Sequence, residues 1–355
     1  MSRIDAIRAR ATAAGAGAAL LTHPAALRWA VGFTGSNGLL AVTDDAAHFV
    51  TDGRYTEQAG AEVRGAEVHI APGPLVTHVA RRGLLTGTRR VVVASEHTTL
   101  AASARLGDEL ADVEVVPVEE FLAEAVASKT EEEIDAVRRA QALTCRVFEA
   151  VVPQIAAGVT EQELAAEIVC QHLRRGAAAM SFEPIVAAGP RGALPHARPS
   201  SRPIERGDLV VIDMGCVLDG FCSDLTRTVA VGEPPGRARD AYETVRRAQR
   251  AAVAAARAGM SGKALDQVAR SVIEADGLGE YFSHSLGHGV GTEVHEWPRL
   301  SQQVEHRLPE GATVTIEPGV YVPGAFGVRI EDVVVLREDG CDNLTPLPTD
   351  LVVVG

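Results

Sequence analysis

Four carboxylates recur in one repeated frame. The segment Ile204-Glu205-Arg206-Gly207-Asp208-Leu209-Val210-Val211-Ile212-Asp213-Met214-Gly215 aligns with Leu308-Pro309-Glu310-Gly311-Ala312-Thr313-Val314-Thr315-Ile316-Glu317-Pro318-Gly319. In each half an apolar run ends on an acid, Asp213 or Glu317, and a Gly-containing turn leads into a second run with another, Asp224 or Glu331. Taken singly, each acid reads as a turn residue or half of a salt bridge, because an unpaired carboxylate at the buried end of a strand is costly. Four in a repeated frame ask for more. Crowded carboxylates raise one another's pKa unless cations neutralise them, and two divalent metals are the simplest solution.

The stretch from Phe282 to Glu296 adds His284, His288 and His295, threaded by Gly287, Gly289 and Gly291. A lone histidine reads as structural; three so close, with glycines between them, point to backbone packed tightly against a site. Gly287-His288-Gly289 loosely resembles a nucleotide loop, but no further Gly follows at the required spacing and no Lys-Ser/Thr ends it. One histidine with four carboxylates is an oxygen-rich donor set that suits Mn²⁺, with Co²⁺, Zn²⁺ and Fe²⁺ as alternatives. Two such ions about 3.5–4 Å apart activate water at neutral pH and polarise a carbonyl, which is the chemistry of hydrolysis.

These residues need a scaffold. With 355 residues the chain is long enough for two domains. Up to about residue 125 short apolar runs at 18–21, 38–42, 48–51, 67–70, 91–94 and 113–116 alternate with helical stretches near 54–64, 74–85 and 98–111, which predicts an α/β domain over residues 1–125. Thr130 and Glu133 then form a capping-box signature for a long helix to about residue 152, and Thr160 opens a second helix of the same kind. Helices at 238–258 and 261–275, with strands at 209–213, 224–231, 313–317 and 328–336, make residues 126–355 an α+β domain. The repeat implies two facing hairpins related by a pseudo-twofold axis.

Composition narrows the classes. The chain is 46% hydrophobic and 23% charged, which excludes disorder and collagen-like repeats. A net charge of −13 argues against nucleic acid or an anionic membrane as partner. Five cysteines without a CxxC pair read as small buried hydrophobes in a reducing cytoplasm. Arg3, Arg8 and Arg10 ahead of an apolar run superficially resemble a signal peptide. Asp5, an Ala/Gly core and the lack of a cleavage triplet after it favour an amphipathic helix with Ile4, Ile7 and Ala11 on one face. No run approaches the ~20 apolar residues of a membrane span, so a cytoplasmic protein is expected.

The motif set resembles the pita-bread metallopeptidases, and within them the Xaa-Pro peptidases, aminopeptidase P and prolidase. It comprises Pro195-His196, Asp213-Met214-Gly215, the stretch from Phe221 to Thr228, His284-x3-His288-Gly289-Val290-Gly291-x3-His295-Glu296, Ile316-Glu317-Pro318-Gly319 and the stretch from Gly327 to Asp332. Gly32-Phe33-Thr34-Gly35-Ser36 and Thr51-Asp52-Gly53-Arg54-Tyr55 are similar to a creatinase-like N-terminal domain. The resemblance implies that Asp213 binds one metal, His288 and Glu317 the other, and that Asp224 and Glu331 bridge both. It makes Glu317 the general base, places His196, His284 and His295 around the substrate, and gives Arg329 an orienting role on the same strand face as Glu331. Phe221 stands where relatives often carry Tyr, which removes no ligand. Creatinase itself shares the fold without metals, and the full donor set here argues against its activity. The implied substrates are short peptides with proline in second position, and a homodimer or higher homo-oligomer is expected. The N-terminal phrases favour an Xaa-Pro aminopeptidase over an Xaa-Pro dipeptidase; a non-catalytic binding protein on the same fold is the third reading.

Overall fold

Ser2 opens the first helix, α1 (Arg3–Ala13): its hydroxyl accepts from the Asp5 amide at 3.1 Å, and the Asp5 carboxylate accepts from the Ser2 amide at 3.4 Å. The buried stripe is Ile4, Ile7 and Ala11, as the pattern requires. The computed structural model describes residues 1–355, which divide into two units, Met1–Val126 and Ala127–Gly355.

The first unit is built on β1 (Ala18–Leu21), β2 (Leu39–Thr43), β3 (Ala47–Asp52), β4 (Glu67–Ala71), β5 (Arg90–Ala94) and β6 (Glu114–Val118) in the order β4-β3-β2-β1-β5-β6. The pairs β1–β2 and β2–β3 are antiparallel, and the other three are parallel. Side-chain alternation splits the core between the two faces. Ala19, Leu21 and Phe49 pack with α1, α2 (Pro24–Val31) and α3 (Thr56–Glu62), while Leu20 and Val50 pack with α4 (Leu75–Arg82) and α5 (Leu100–Glu109). Helix α2 has no counterpart in the sequence reading. It is eight residues long and largely apolar, too short for a helical period to emerge, yet Pro24 starts it and Gly32 ends it at φ 83°.

After the short α6 (Ala123–Ala127), the second unit begins with α7 (Glu131–Val151) and α8 (Glu161–Arg174), both with capping boxes. The strands that follow are β7 (Ala179–Met180), β8 (Ile185–Ala188), β9 (Leu209–Met214), β10 (Cys216–Leu218), β11 (Phe221–Cys222) and β12 (Leu225–Val231). Then come α9 (Gly236–Ala255), α10 (Gly262–Ala275), β13 (Gly287–Gly289), β14 (Glu296–Leu300), β15 (Thr313–Ile316), β16 (Gly319–Val322), β17 (Phe326–Arg329), β18 (Asp332–Leu336), β19 (Cys341–Asn343) and β20 (Val352–Val354).

The repeat is visible in the pairing. Strands β9 and β12 pair antiparallel and enclose the hairpin β10–β11; strands β15 and β18 pair antiparallel and enclose β16–β17. Each set packs against its own helix pair. Leu143, Phe148, Leu164 and Ile168 of α7 and α8 cover β8, β9 and β12, and Tyr242, Val245, Leu265 and Ile273 of α9 and α10 cover β15 to β18. One expectation changes. Residues 328–336 are not a continuous strand, because β17 pairs with β16 while β18 joins the sheet of β15 and β19. The chain breaks at Ile330-Glu331, where the Glu331 amide donates to the Thr226 carbonyl at 3.1 Å. Arg329 and Glu331 therefore do not share a strand face. No helix is long and apolar enough to cross a membrane.

Candidate metal centre

Each acid is positioned by backbone pairing. Asp213 lies near the end of β9, opposite Thr226 of β12 and Ile185 of β8. Asp224 immediately precedes β12 and is pinned by Gln141 of α7, whose Nε2 donates to the Asp224 carbonyl at 2.7 Å while its Oε1 accepts from the Asp224 amide at 3.1 Å. Glu317 follows β15, its amide donating to the Leu286 carbonyl at 2.9 Å. Glu331 sits in the break before β18. Arg227 crosses from one hairpin set to the other, donating to the Glu331 carbonyl at 2.5 Å and to the Asp332 carboxylate at 2.7 Å.

His288 reaches the same place from the middle of β13. A Cβ on Gly287 would stand 2.1 Å from the Thr315 carbonyl, and one on Gly289 2.4 Å from that of Trp297. Only glycine lets β13 lie this close to its neighbours. The Nδ1–H of His288 donates to the Gly289 carbonyl at 3.0 Å, which turns Nε2 towards the acids. It lies 3.3 Å from Glu317 Oε1 and 3.7 Å from Asp224 Oδ2. Donor atoms of Asp224, His288 and Glu331 all fall within 4.8 Å of one another.

Arg329 is the one guanidinium inside this cluster. It donates to Asp213 Oδ2 at 2.5 Å, to the Tyr321 hydroxyl at 2.8 Å and to Thr226 Oγ1 at 3.0 Å. Thr226 in turn donates to Glu331 Oε2 at 2.7 Å, so this hydroxyl rejoins Arg329 and Glu331 across the broken strand. Tyr321 donates onward to His284 Nε2 at 2.9 Å, since the Nδ1–H of His284 is given to the Ser285 carbonyl at 2.7 Å.

The charge balance fits cations. Burial, followed by repulsion from neighbouring carboxylates, pushes Asp224 and Glu331 well above the usual carboxylate range. Burial also raises Asp213, partly offset by Arg329. Burial acts on Glu317 in the same sense, but the hydrogen bond and charge of His288, with His284 and Arg329, hold it at about 2. One arginine cannot neutralise four buried acids, and Asp213 Oδ1 is buried with no hydrogen-bond partner. An orphaned oxygen in a crowded carboxylate cage is what a divalent cation would satisfy. The oxygen-rich set with one imidazole suits hard or borderline ions.

The cluster forms the floor of a cleft of about 510 Å³. All of the residues singled out from sequence line it: Asp213, Asp224, His288, Glu317, Glu331, Arg329, His196, His284 and His295. His295 packs edge-on against His288 with ring centres 4.4 Å apart, and His196 is exposed at the rim. Burial lowers the pKa of His284 and of His295, so both are neutral at pH 7. Sequence reasoning missed Thr226, Tyr321 and Arg299. Tyr321 shares a strand face with Gly319, which pairs opposite Arg329, so alternation along β16 would have indicated it. Arg299 is exposed in the cleft, directly across from His288 in the β13–β14 register.

The model of metallopeptidase family M24 matches residues 135–338, and that of the creatinase/prolidase N-terminal domain matches residues 3–125. An Xaa-Pro dipeptidase from Pyrococcus furiosus is 47% identical over 63% of this chain and 64% of its own length. The structure of an Xaa-Pro dipeptidase from Bacillus anthracis superposes with a TM-score of 0.97 at 35% identity, covering 99% of each chain. That of an X-Pro aminopeptidase from Thermotoga maritima gives 0.89 at 37% identity over 96% of this chain and 98% of that one.

Proposed function

Because the chain belongs to metallopeptidase family M24 and is a metallo-exopeptidase with a creatinase-type N-terminal domain, we propose that it is an Xaa-Pro dipeptidase. The observation that carries this reading is the superposition over 99% of both chains on the Bacillus anthracis Xaa-Pro dipeptidase. It moves the preference away from the aminopeptidase expected from the N-terminal phrases.

Asp213, Asp224, His288, Glu317 and Glu331 would hold two divalent ions, with Mn²⁺ suited to the donor set. When bound, such ions polarise the scissile carbonyl and lower the pKa of water. The protein's own groups do the rest. Glu317 is kept ionised chiefly by His288 and Arg329 and accepts the proton of the attacking water, with Thr315 Oγ1 donating to its Oε1 at 3.1 Å to fix the carboxylate. His295, neutral and on the cleft wall, donates an N–H to the oxygen on which charge develops, His284 holds the Tyr321 hydroxyl in place, and the proton taken up by Glu317 passes to the imide nitrogen of proline as it leaves. His196 lies where the peptide enters, and Arg329 orients Asp213.

A dipeptidase must also hold a free carboxylate one residue beyond the broken bond. Arg299 supports this role: it is exposed in the cleft beside His288 and has no acid within ion-pair distance, whereas Arg198 on the same wall faces Glu183 at 3.6 Å. A guanidinium pairs bidentately with such a carboxylate. The second reading, an Xaa-Pro aminopeptidase, is favoured by the Thermotoga maritima match. A substrate series of Xaa-Pro, Xaa-Pro-Yaa and longer peptides assayed with Mn²⁺ separates the two. Cleavage confined to Xaa-Pro supports the dipeptidase, comparable kcat/KM on the longer members supports the aminopeptidase, and inert metal-loaded protein overturns both.

A further inference from the structure

The first unit carries a second set of metal-donor side chains. His48 lies in β3, and Glu67 and His69 lie in β4, one of the two edge strands of the sheet. The two strands run parallel with His48 opposite Glu67 and Val50 opposite His69, so all three donors project from one face. Val50 of that face packs with Val79 of α4, and the same helix carries His78.

The spacing is that of ligands around one ion. His48 Nδ1 stands 3.1 Å from His69 Nε2 and 3.4 Å from Glu67 Oε2, and His69 Nε2 is 3.8 Å from Glu67 Oε1. Nitrogen and oxygen donors bound about 2.0–2.2 Å from a tetrahedral zinc are separated by roughly 3.3–3.6 Å. A hydrogen-bonded histidine pair would account for the first contact alone. It does not account for His78, whose ring centre is 6.0 Å from that of His69 and whose Nε2 is buried without a partner. Burial of such a nitrogen is costly unless something meets it.

We propose that His48, Glu67 and His69, with His78 as the adjacent fourth donor, form a site for one borderline divalent cation of the Zn²⁺ type that ties edge strand β4 to β3 and α4. The donor set is rich in imidazole, unlike the carboxylate cage of the second unit, so the two places select different ions. The ion would stabilise the one strand on this side of the sheet that has a single neighbour.

The test uses the full-length protein with its catalytic centre already saturated with Mn²⁺. Zinc content after equilibrium dialysis against Zn²⁺ is compared between the wild type and a Glu67→Gln/His69→Gln variant, and amide hydrogen exchange of the wild type is followed with and without Zn²⁺. The expected result is one zinc fewer per chain in the variant, with kcat/KM on Xaa-Pro unchanged, and slower exchange at 67–71 and 75–82 when zinc is added. Equal zinc content in both proteins overturns the proposal. So does exchange in those segments that zinc leaves untouched, a readout that needs no variant to fold.

Discussion

Thr226→Val preserves the shape of a fully buried side chain and deletes one hydroxyl. That hydroxyl donates to Glu331 Oε2 at 2.7 Å and accepts from Arg329 Nε at 3.0 Å. A hydrogen bond to a charged group is worth about 1.5–3 kcal/mol. Losing an outer contact to a metal ligand typically costs about 10–100-fold in metal affinity, or roughly 1.4–2.8 kcal/mol, so the two ranges coincide. The Mn²⁺ concentration giving half-maximal activity should therefore rise about 10–100-fold, while kcat at saturating Mn²⁺ stays within about threefold because no group facing substrate has changed. The assay is initial rate against Mn²⁺ on an Xaa-Pro dipeptide after chelator stripping. Thermal unfolding run alongside verifies that the variant keeps its fold. An unchanged Mn²⁺ midpoint with a collapsed kcat would refute the reasoning, because Thr226 would then act through Arg329 rather than by holding Glu331.

Three further outcomes are expected. Arg299→Met should raise KM for Xaa-Pro dipeptides by roughly 10–100-fold with little change in kcat, as loss of one charge-assisted pair implies; an equal loss on the C-terminal amide would show that Arg299 does not read the carboxylate. Phe49→Ala removes a fully buried ring tilted against Phe33 with centres 4.6 Å apart and should cost about 3–5 kcal/mol in denaturant unfolding of the first unit, and a loss below about 1 kcal/mol would contradict that packing. His172 is buried with Nδ1–H donating to the Ile168 carbonyl at 2.9 Å and Nε2 accepting from Thr144 at 3.1 Å, and burial lowers its pKa from 6.5. The native state takes this proton less readily than the unfolded chain, so the stabilisation is complete above pH 6.5 and is lost as pH falls through the depressed native value. The Tm of the wild type should accordingly fall more steeply than that of His172→Gln below this pH, and parallel curves would remove His172 from the account.

Much of the fold was legible because burial imposes a period. The stripe Ile4, Ile7, Ala11 and the six short apolar runs of the first unit each reported their own element. The acids were legible for another reason: the chain states the hairpin twice, and a repeat turns four ambiguous carboxylates into one pattern. What stayed hidden depends on register. Thr226 matters because β12 sets it opposite Asp213, and Arg299 because β14 sets it opposite His288, and neither pairing leaves a mark in local sequence. The break at Glu331 was hidden for the same reason, since the apolar run continues while its pairing partners change. His48, Glu67, His69 and His78 are scattered single residues until parallel strands bring them together.

The duplicated hairpin divides the acids between two separate pieces of chain. Arg329 and Asp213 touch although 116 positions separate them, and neither hairpin set supplies more than two of the four acids. A chain with only the first set folded offers a cation no more than a pair of surface acids would. The full cage exists only while the two sets are docked, so a cation bound there stabilises that docking against its reversal. The power to cut is then a property of the docked pair and of neither half alone.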